Sequence, residues 1–264
     1  MKTSRRFVLS ALLVASAAAL IPGSAAAAPP APTDPEFGRY LLTQVDDMHR
    51  GKSSHALMSM HVKTSRWERS MTMEAWSSGK EYSLIRILEP KKERGTATLK
   101  SNKDLYTFLS KTGRTIKISG ASMGGSWMGS HFTNDDLVKE SRLDKDFDII
   151  VKDGPGIRGE PTWALILIPK PKAVVVWGQV DVMIRKSDLL PIGQLFYDED
   201  RNPVRKMEFF DYQQVAGRSV PMRMRMSPLD DERKGEYTEM TYSKLEFDIG
   251  LDPSFFSVSQ LKAL

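Results

Sequence analysis

Four histidines, two serines set among glycines, and short runs of carboxylates are the residues of this chain whose types could do chemistry. Ser126 and Ser130 flank a glycine-rich stretch with His131 adjacent, the raw material of a nucleophile and its base. The Gly-x-Ser-x-Gly elbow that would aim such a serine is missing. Neighbouring residues on extended backbone also point apart, so Ser130 and His131 make a poor pair. His55 and His61 share one face of a strand, but six residues of strand separate them by roughly 20 Å, too far for one metal ion. His49 falls near the C-terminal end of a helix, where a cation suits the dipole. Asp198-Glu199-Asp200 runs into Arg201-Asn202-Pro203 and reads as a hairpin tip rather than a calcium loop. Asp135 and Asp136 follow Thr133 and Asn134, where carboxylates stabilise the positive end of a helix. Gly154-Pro155-Gly156-Ile157-Arg158-Gly159 matches the dinucleotide fingerprint as a string. Pro161 and a strand follow it where a helix should receive the pyrophosphate, so it reads as a turn. Cysteine is absent, which removes thiol chemistry and disulfides. These patterns assemble no base, nucleophile or metal cluster, and the expectation is a non-enzymatic protein without cofactor or metal.

The segment from Met123 to Leu137 is unusual for another reason. It places Met123, Trp127, Met128 and Phe132 among Gly124, Gly125 and Gly129. Large apolar side chains here sit on a backbone with the freedom of a loop. Either the loop plugs its own core, or these side chains are kept available for an apolar partner.

The elements that must position these residues begin with an export signal. Lys2, Arg5 and Arg6 precede an apolar run from Phe7 to Ile21, then Pro22-Gly23-Ser24 and a run of alanines. This is the layout of a secretory signal peptide over residues 1–27, cleaved about Ala27; Arg5-Arg6 raises the twin-arginine route, but Phe7-Val8-Leu9 follows at once and Sec export is the expectation. The run is too short for a comfortable membrane span. Residues 28–264 are read as one domain. Without the signal, 35 Lys and Arg face 33 Asp and Glu, a near balance that offers no dense basic surface for nucleic acid. Export without disulfides suits a periplasm and a domain stabilised by its core.

Thr33-Asp34-Pro35-Glu36 opens a helix, and Phe37, Tyr40, Leu41, Gln44, Val45 and Met48 follow at helical spacing to about Arg50. Thereafter the pattern alternates. Ala56, Met58, Met60 and Val62 share one face, and Met71, Met73 and Ala75 another. Further strands are expected at 82–88, 96–100, 105–109, 115–119, 163–168, 174–185, 192–197, 204–212, 218–227 and 236–247. About twelve strands, one long helix and a short one after Thr133 imply a mainly β, α+β fold. Its large antiparallel sheet would curl into an open or closed barrel with the helix against the concave face. Met58 with Met60, Met71 with Met73, and Met222 with Met224 and Met226 fall on shared faces, while Arg223 and Arg225 point the other way. Such methionines either fill an ordinary core or line a surface that accommodates varied apolar partners.

Signal peptide, N-terminal helix, methionine-rich strands and Gly-Ser-Trp-Met-Gly-Ser-His-Phe-Thr-Asn-Asp-Asp-Leu at 125–137 together resemble the outer-membrane lipoprotein-sorting (LolA-like) proteins, in the subgroup associated with exporters. Pro90 to Thr96, Leu190-Pro191, Tyr197-Asp198, Val215 to Arg218 with Pro221, and Asp252-Pro253-Ser254-Phe255-Phe256 also fit that pattern. His131, where an acid is usual, and Arg201-Asn202, where a glycine usually closes the hairpin, depart from it. The resemblance implies an unclosed LolA/LolB-like barrel wrapped round N-terminal and central helices, with a hydrophobic cavity for acyl chains. It implies a periplasmic carrier of a lipid or lipoprotein, served by an inner-membrane exporter and an outer-membrane acceptor and acting as a monomer. A ligand-sensing regulatory or envelope-assembly module of the same fold is the alternative. The residues expected to line or gate the cavity are Met58, Met60, Met71, Met73, Trp127, Met128, Phe132, Met222, Met224 and Met226.

Overall fold

A computed structural model describes residues 28–48, 51–139, 146–173 and 175–263. The signal segment, the helix end at His49–Arg50 and Val174 lie outside the described residues. The strands are β1 Ser53–Lys63, β2 Glu68–Ser78, β3 Tyr82–Glu89, β4 Ala97–Ser101, β5 Asp104–Leu109, β6 Arg114–Lys117, β7 Phe147–Asp153, β8 Thr162–Pro169, β9 Gln179–Arg185, β10 Pro191–Tyr197, β11 Pro203–Val215, β12 Arg218–Pro228 and β13 Tyr237–Phe247. Helices α1 (Phe37–Asp47), α2 (Asn134–Lys139) and α3 (Val258–Ala263) accompany them.

All thirteen strands join one sheet in the order β6-β5-β4-β3-β2-β1-β13-β12-β11-β10-β9-β8-β7. The named pairings are antiparallel throughout, and β6 and β7 are left as opposite edges, so the barrel is open, as the family resemblance implies and the strand pattern alone left undecided. The β6 edge is four residues long and carries Arg114 and Lys117, a short charged edge of the kind that resists further pairing. The chain builds the sheet outward from β1 to β6, crosses to the far edge, and returns from β7 to β13 beside β1. The crossover is therefore the segment between β6 and β7, which contains the loop at 123–137.

Alternation sets which side is which. Ala56, Met58, Met60, Val62, Met71, Met73, Met207, Phe209, Met222 and Met226 are buried on the concave face. The opposite face carries ion pairs such as Arg225 with Glu239 at 2.7 Å, and hydrogen bonds such as that between His55 and Glu74 at 2.9 Å. Helix α1 lies in the same core as the methionines, through Phe37, Leu41 and Leu42. Gly38 lets it approach β7, because a Cβ there would stand 2.8 Å from the Val151 side chain and 2.9 Å from that of Ile149. A second, smaller core joins Phe256 and Leu261, from the C-terminal segment, to Leu84 and Leu99. Strand register puts Leu84 and Leu99 on the other side of the sheet from Ile85 and Ile87.

Two expectations need correction. Strand β7 was not foreseen, because Ile149-Ile150-Val151 is a continuous apolar run and Ile150 is 45% exposed, so alternation is lost at this edge. The strand expected from Val174 begins at Gln179 instead. Before it, Trp177 packs against Phe196, with ring centroids 5.3 Å apart, and Gly178 lies so close to the Asp198 carbonyl that a Cβ would stand 2.1 Å from it.

Because Phe256 is buried and anchors the second core, Phe256→Ala should lower the unfolding free energy by about 3 to 5 kcal/mol. A urea titration followed by circular dichroism would measure this.

Candidate functional site

Cross-strand register turns the methionine pattern into rows. One row runs Met71, Met60, Met240, Met224 and Phe209 across β2, β1, β13, β12 and β11. The next runs Ile87, Met73, Met58 and Tyr242. The one after substitutes small residues, running Ile85, Ala75, Ala56 and Leu245. Beyond it lie Ser83, Ser77 and Ser54, with the Ser54 and Ser77 hydroxyls 2.6 Å apart. Side chains thus become smaller and then polar along the strands. The alanines leave space that the methionines fill elsewhere. A chamber of about 1260 Å³, part of it open to solvent, lies there against Val45 and Met48, with Trp127 and Phe132 on its wall.

The crossover forms that wall, at the end of the sheet where β1 turns into β2. Four polar residues on successive hairpins hold it. Thr98 of β4 accepts a hydrogen bond from the Trp127 indole at 3.1 Å. Arg69 of β2 donates to the Met128 carbonyl at 3.3 Å and pairs with Glu93. Thr238 of β13 accepts the His131 backbone N–H at 2.9 Å, and its hydroxyl lies 2.8 Å from His131 Nδ1. Glu236, an acceptor only, stands 3.3 Å from Nε2, which places a hydrogen on that nitrogen. The Ser65 backbone N–H, 2.7 Å from Glu236, holds this carboxyl below its ordinary value against a smaller burial effect, and His131 adds to it.

The fourth tether is the strongest. Arg205 of β11 is 6% exposed and faces inward in register with Met207 and Phe209. Its guanidinium meets Asp136 in two bonds of 2.8 and 2.5 Å and donates to the His131 carbonyl at 3.1 Å. The rings of Trp177 and Phe196 lie 4.1 and 4.3 Å from it. Its Nε is buried without a hydrogen-bond partner among the described residues. Asp136 also accepts the Thr133 N–H at 2.7 Å while its own N–H reaches the Thr133 hydroxyl at 3.3 Å, a capping box that starts α2. The capping role expected of Asp136 is present, and the ion pair is an addition that the sequence did not disclose.

Inside the crossover the chain bonds to itself. Trp127 N–H donates to the Phe132 carbonyl at 2.8 Å, and the Ser130 hydroxyl donates to Trp127 carbonyl at 2.7 Å. Met128 and Gly129 both take positive φ, 51° and 71°, which folds the tip tightly. Ser130 is thus engaged with backbone, and Ser126 donates to the Ser130 carbonyl at 2.5 Å.

The ten residues singled out from the sequence fall as follows. Met58, Met60, Met71, Met73, Trp127, Phe132, Met222 and Met226 are buried in one core, with Met128 and Met224 packed against it. Met58, Trp127, Phe132 and Met224 border the chamber. Met226 borders a smaller space of about 520 Å³ toward β7 to β10, which Phe132 separates from the chamber. Met128 borders an outer groove beside β3 to β6, on the far side of Trp127. Met60, Met71, Met73 and Met222 border none of these spaces. Residues not foreseen at the chamber include Ala56, Ala75, Ile85 and Tyr242. Among the described residues no group of three or more His, Cys, Asp or Glu is placed to hold a metal ion, and no helix is long and apolar enough to cross a membrane.

The model of a family described as "Uncharacterized protein" matches residues 79–263. A DUF1329 family protein from Desulfovibrio piger is similar in structure, with TM-score 0.77 and 25% identity over 87% of this chain and 100% of that one. A domain assigned as an outer membrane lipoprotein-sorting protein, from Vibrio parahaemolyticus, gives 0.74 and 23% over 87% and 100%. A LolA superfamily protein from Nitrosomonas europaea gives 0.71 and 20% over 84% and 98%. No curated protein matches the chain.

Removing one partner of the Arg205–Asp136 pair leaves the other buried and charged, so Arg205→Met or Asp136→Asn should each cost about 3 to 5 kcal/mol. The double variant should cost less than the two together, as a double-mutant cycle of urea unfolding would show.

Proposed function

We propose that this chain, which belongs to the LolA-like family, is a non-enzymatic periplasmic carrier that holds acyl chains of a lipid or lipoprotein in the chamber between the alanine row and the crossover. It takes its cargo from the inner membrane, with an exporter there as its partner, and carries it toward an acceptor at the outer membrane. Residues 28–264 act as one carrier domain and as a monomer.

The observation that carries this reading is the chamber itself: a concave face lined by Met58, Ala56, Ala75, Ile85 and Leu245, left unfilled beside a row of methionines of which Met60 and Met71 are buried. The physical need is clear. At about 0.8 kcal/mol per methylene, a chain of about fifteen methylenes resists passage through water by roughly 12 kcal/mol. An apolar chamber of comparable depth removes most of that barrier. Flexible methionine walls adapt to chains of different length and unsaturation and release them again.

In this reading the serine end is the mouth and the crossover is the closed end. Trp127 and Phe132 meet the terminal methyl of a bound chain, and Met58 and Met224 meet its middle. Met60, Met71, Met73, Met222 and Met226 support these walls from behind, and Met128 braces the tip outside Trp127.

Filling the space tests the proposal without removing any core contact. Ala75→Phe projects a ring into the chamber and should weaken binding of a fluorescent sixteen-carbon fatty acid at least tenfold, with a melting temperature within a few degrees of the parent. Unchanged affinity in a folded variant would refute the assignment of this chamber.

A further inference from the structure

The hairpin tips outside the crossover carry a charge pattern that the carrier reading does not use. Residues 80–119, which build β3 to β6, contain ten Lys and Arg against four Asp and Glu, although the exported chain is nearly balanced. Much of this excess stands at one end of the sheet. The β1–β2 tip presents Arg66, the β3–β4 tip Lys91, and the β5–β6 tip Lys111 and Arg114. All four are exposed, and among the described residues none has a carboxylate within salt-bridge distance. Alternate tips in an antiparallel sheet lie two strand spacings apart, roughly 10 Å, so these cations form one row.

Apolar surface accompanies the row. Trp67 on the first tip is 43% exposed, and Ile116 on β6 is 41% exposed. Between the second and third tips a groove of about 1170 Å³, open to solvent, is floored by Ile87, Leu109 and Ile118 and bordered by Met128. The tips on the other half of the same end carry Asp198, Glu199 and Asp200 with Arg201, and Asp230, Asp231 and Glu232 with Arg233 and Lys234, and the β8–β9 tip adds Lys170 and Lys172, so that half holds more carboxylates than cations while the β1–β6 half holds the reverse.

We infer that the three basic tips, with Trp67 as an interfacial anchor, dock this protein on an anionic lipid bilayer. Cations beside an exposed tryptophan and an apolar groove match the layers of such a surface: phosphate-bearing headgroups outermost, then the interface that tryptophan prefers, then acyl chains. Charge or apolar area alone gives weak, reversible attachment, and the two signals together hold a protein at a membrane. The half with the carboxylate excess is attracted less by the same surface, so docking is oriented, with the β1–β6 half down. A soluble acidic partner would use the cations and leave Trp67 and the groove without a role.

The test is sedimentation of the full exported chain with vesicles of phosphatidylcholine alone or with one third phosphatidylglycerol. Binding should require phosphatidylglycerol and fall steeply between 50 and 300 mM salt. Lys91→Gln with Lys111→Gln should reduce vesicle partition about fivefold for each charge removed. Trp67→Ser should reduce it further. All these positions are exposed, and circular dichroism would verify that the variants fold. Ala75→Phe, which blocks the chamber, should bind vesicles like the parent, so a failure of docking is distinct from a failure of carriage. Equal binding to neutral vesicles, unchanged partition of the double lysine variant, or binding to heparin without binding to phosphatidylglycerol vesicles would overturn the inference.

Discussion

The constraint on which this structure depends is topological. A chain that lays down β1 to β6 from the middle of the sheet to one edge must then reach the opposite edge before it can return to β13. The crossover therefore passes over a concave apolar face, and its polar groups need partners there. The sheet supplies them at intervals as Thr98, Arg69, Thr238 and Arg205. Arg205 is the costliest of the four, an inward-facing cation among methionines and aromatic rings, tolerable because Asp136 answers both of its outer nitrogens. The capping box then ties the same carboxylate to the first turn of α2, so one pair fixes the wall and starts the helix.

With one end of the trough walled, the sequence of side chains along the strands decides what the rest can do. Methionine rows stand nearest the crossover, alanines open the chamber, and serines line its far end. The outer face carries the charge, in pairs such as Arg223 and Arg225 with Glu239. A trough that is greasy within, bounded at one end and polar at the other is suited to a molecule with an apolar tail and a polar head.

Much of this was legible in the sequence, and the failures have physical reasons. Alternation revealed the strands whose faces differ, down to the inward Met222, Met224 and Met226 against the outward arginines. It failed at β7, an edge strand with apolar residues on both sides. Gly124, Gly125 and Gly129 suggested a pliable loop, yet only Gly129 among them takes positive φ, and the crossover is bonded both to itself and to four strands. Those partners are distant in sequence, 29 residues from Trp127 to Thr98 and 107 from His131 to Thr238, so no local pattern announces them. Arg205 did leave a trace: it shares the period-two face of Met207 and Phe209, where a charge calls for a partner. The chamber was hardest to foresee, because it is made by the residues that are small, Ala56 and Ala75, and attention goes first to those that are large.

The central claim is that the chamber holds acyl chains, and the most direct measurement is native mass spectrometry of the protein purified from the envelope without detergent. The account expects adducts of lipid mass that dissociate as acyl-bearing species, present on the parent protein and depleted when Ala75 is replaced by Phe. A parent protein that carries no lipid, and takes up none when offered vesicles or a lipidated peptide, would contradict it.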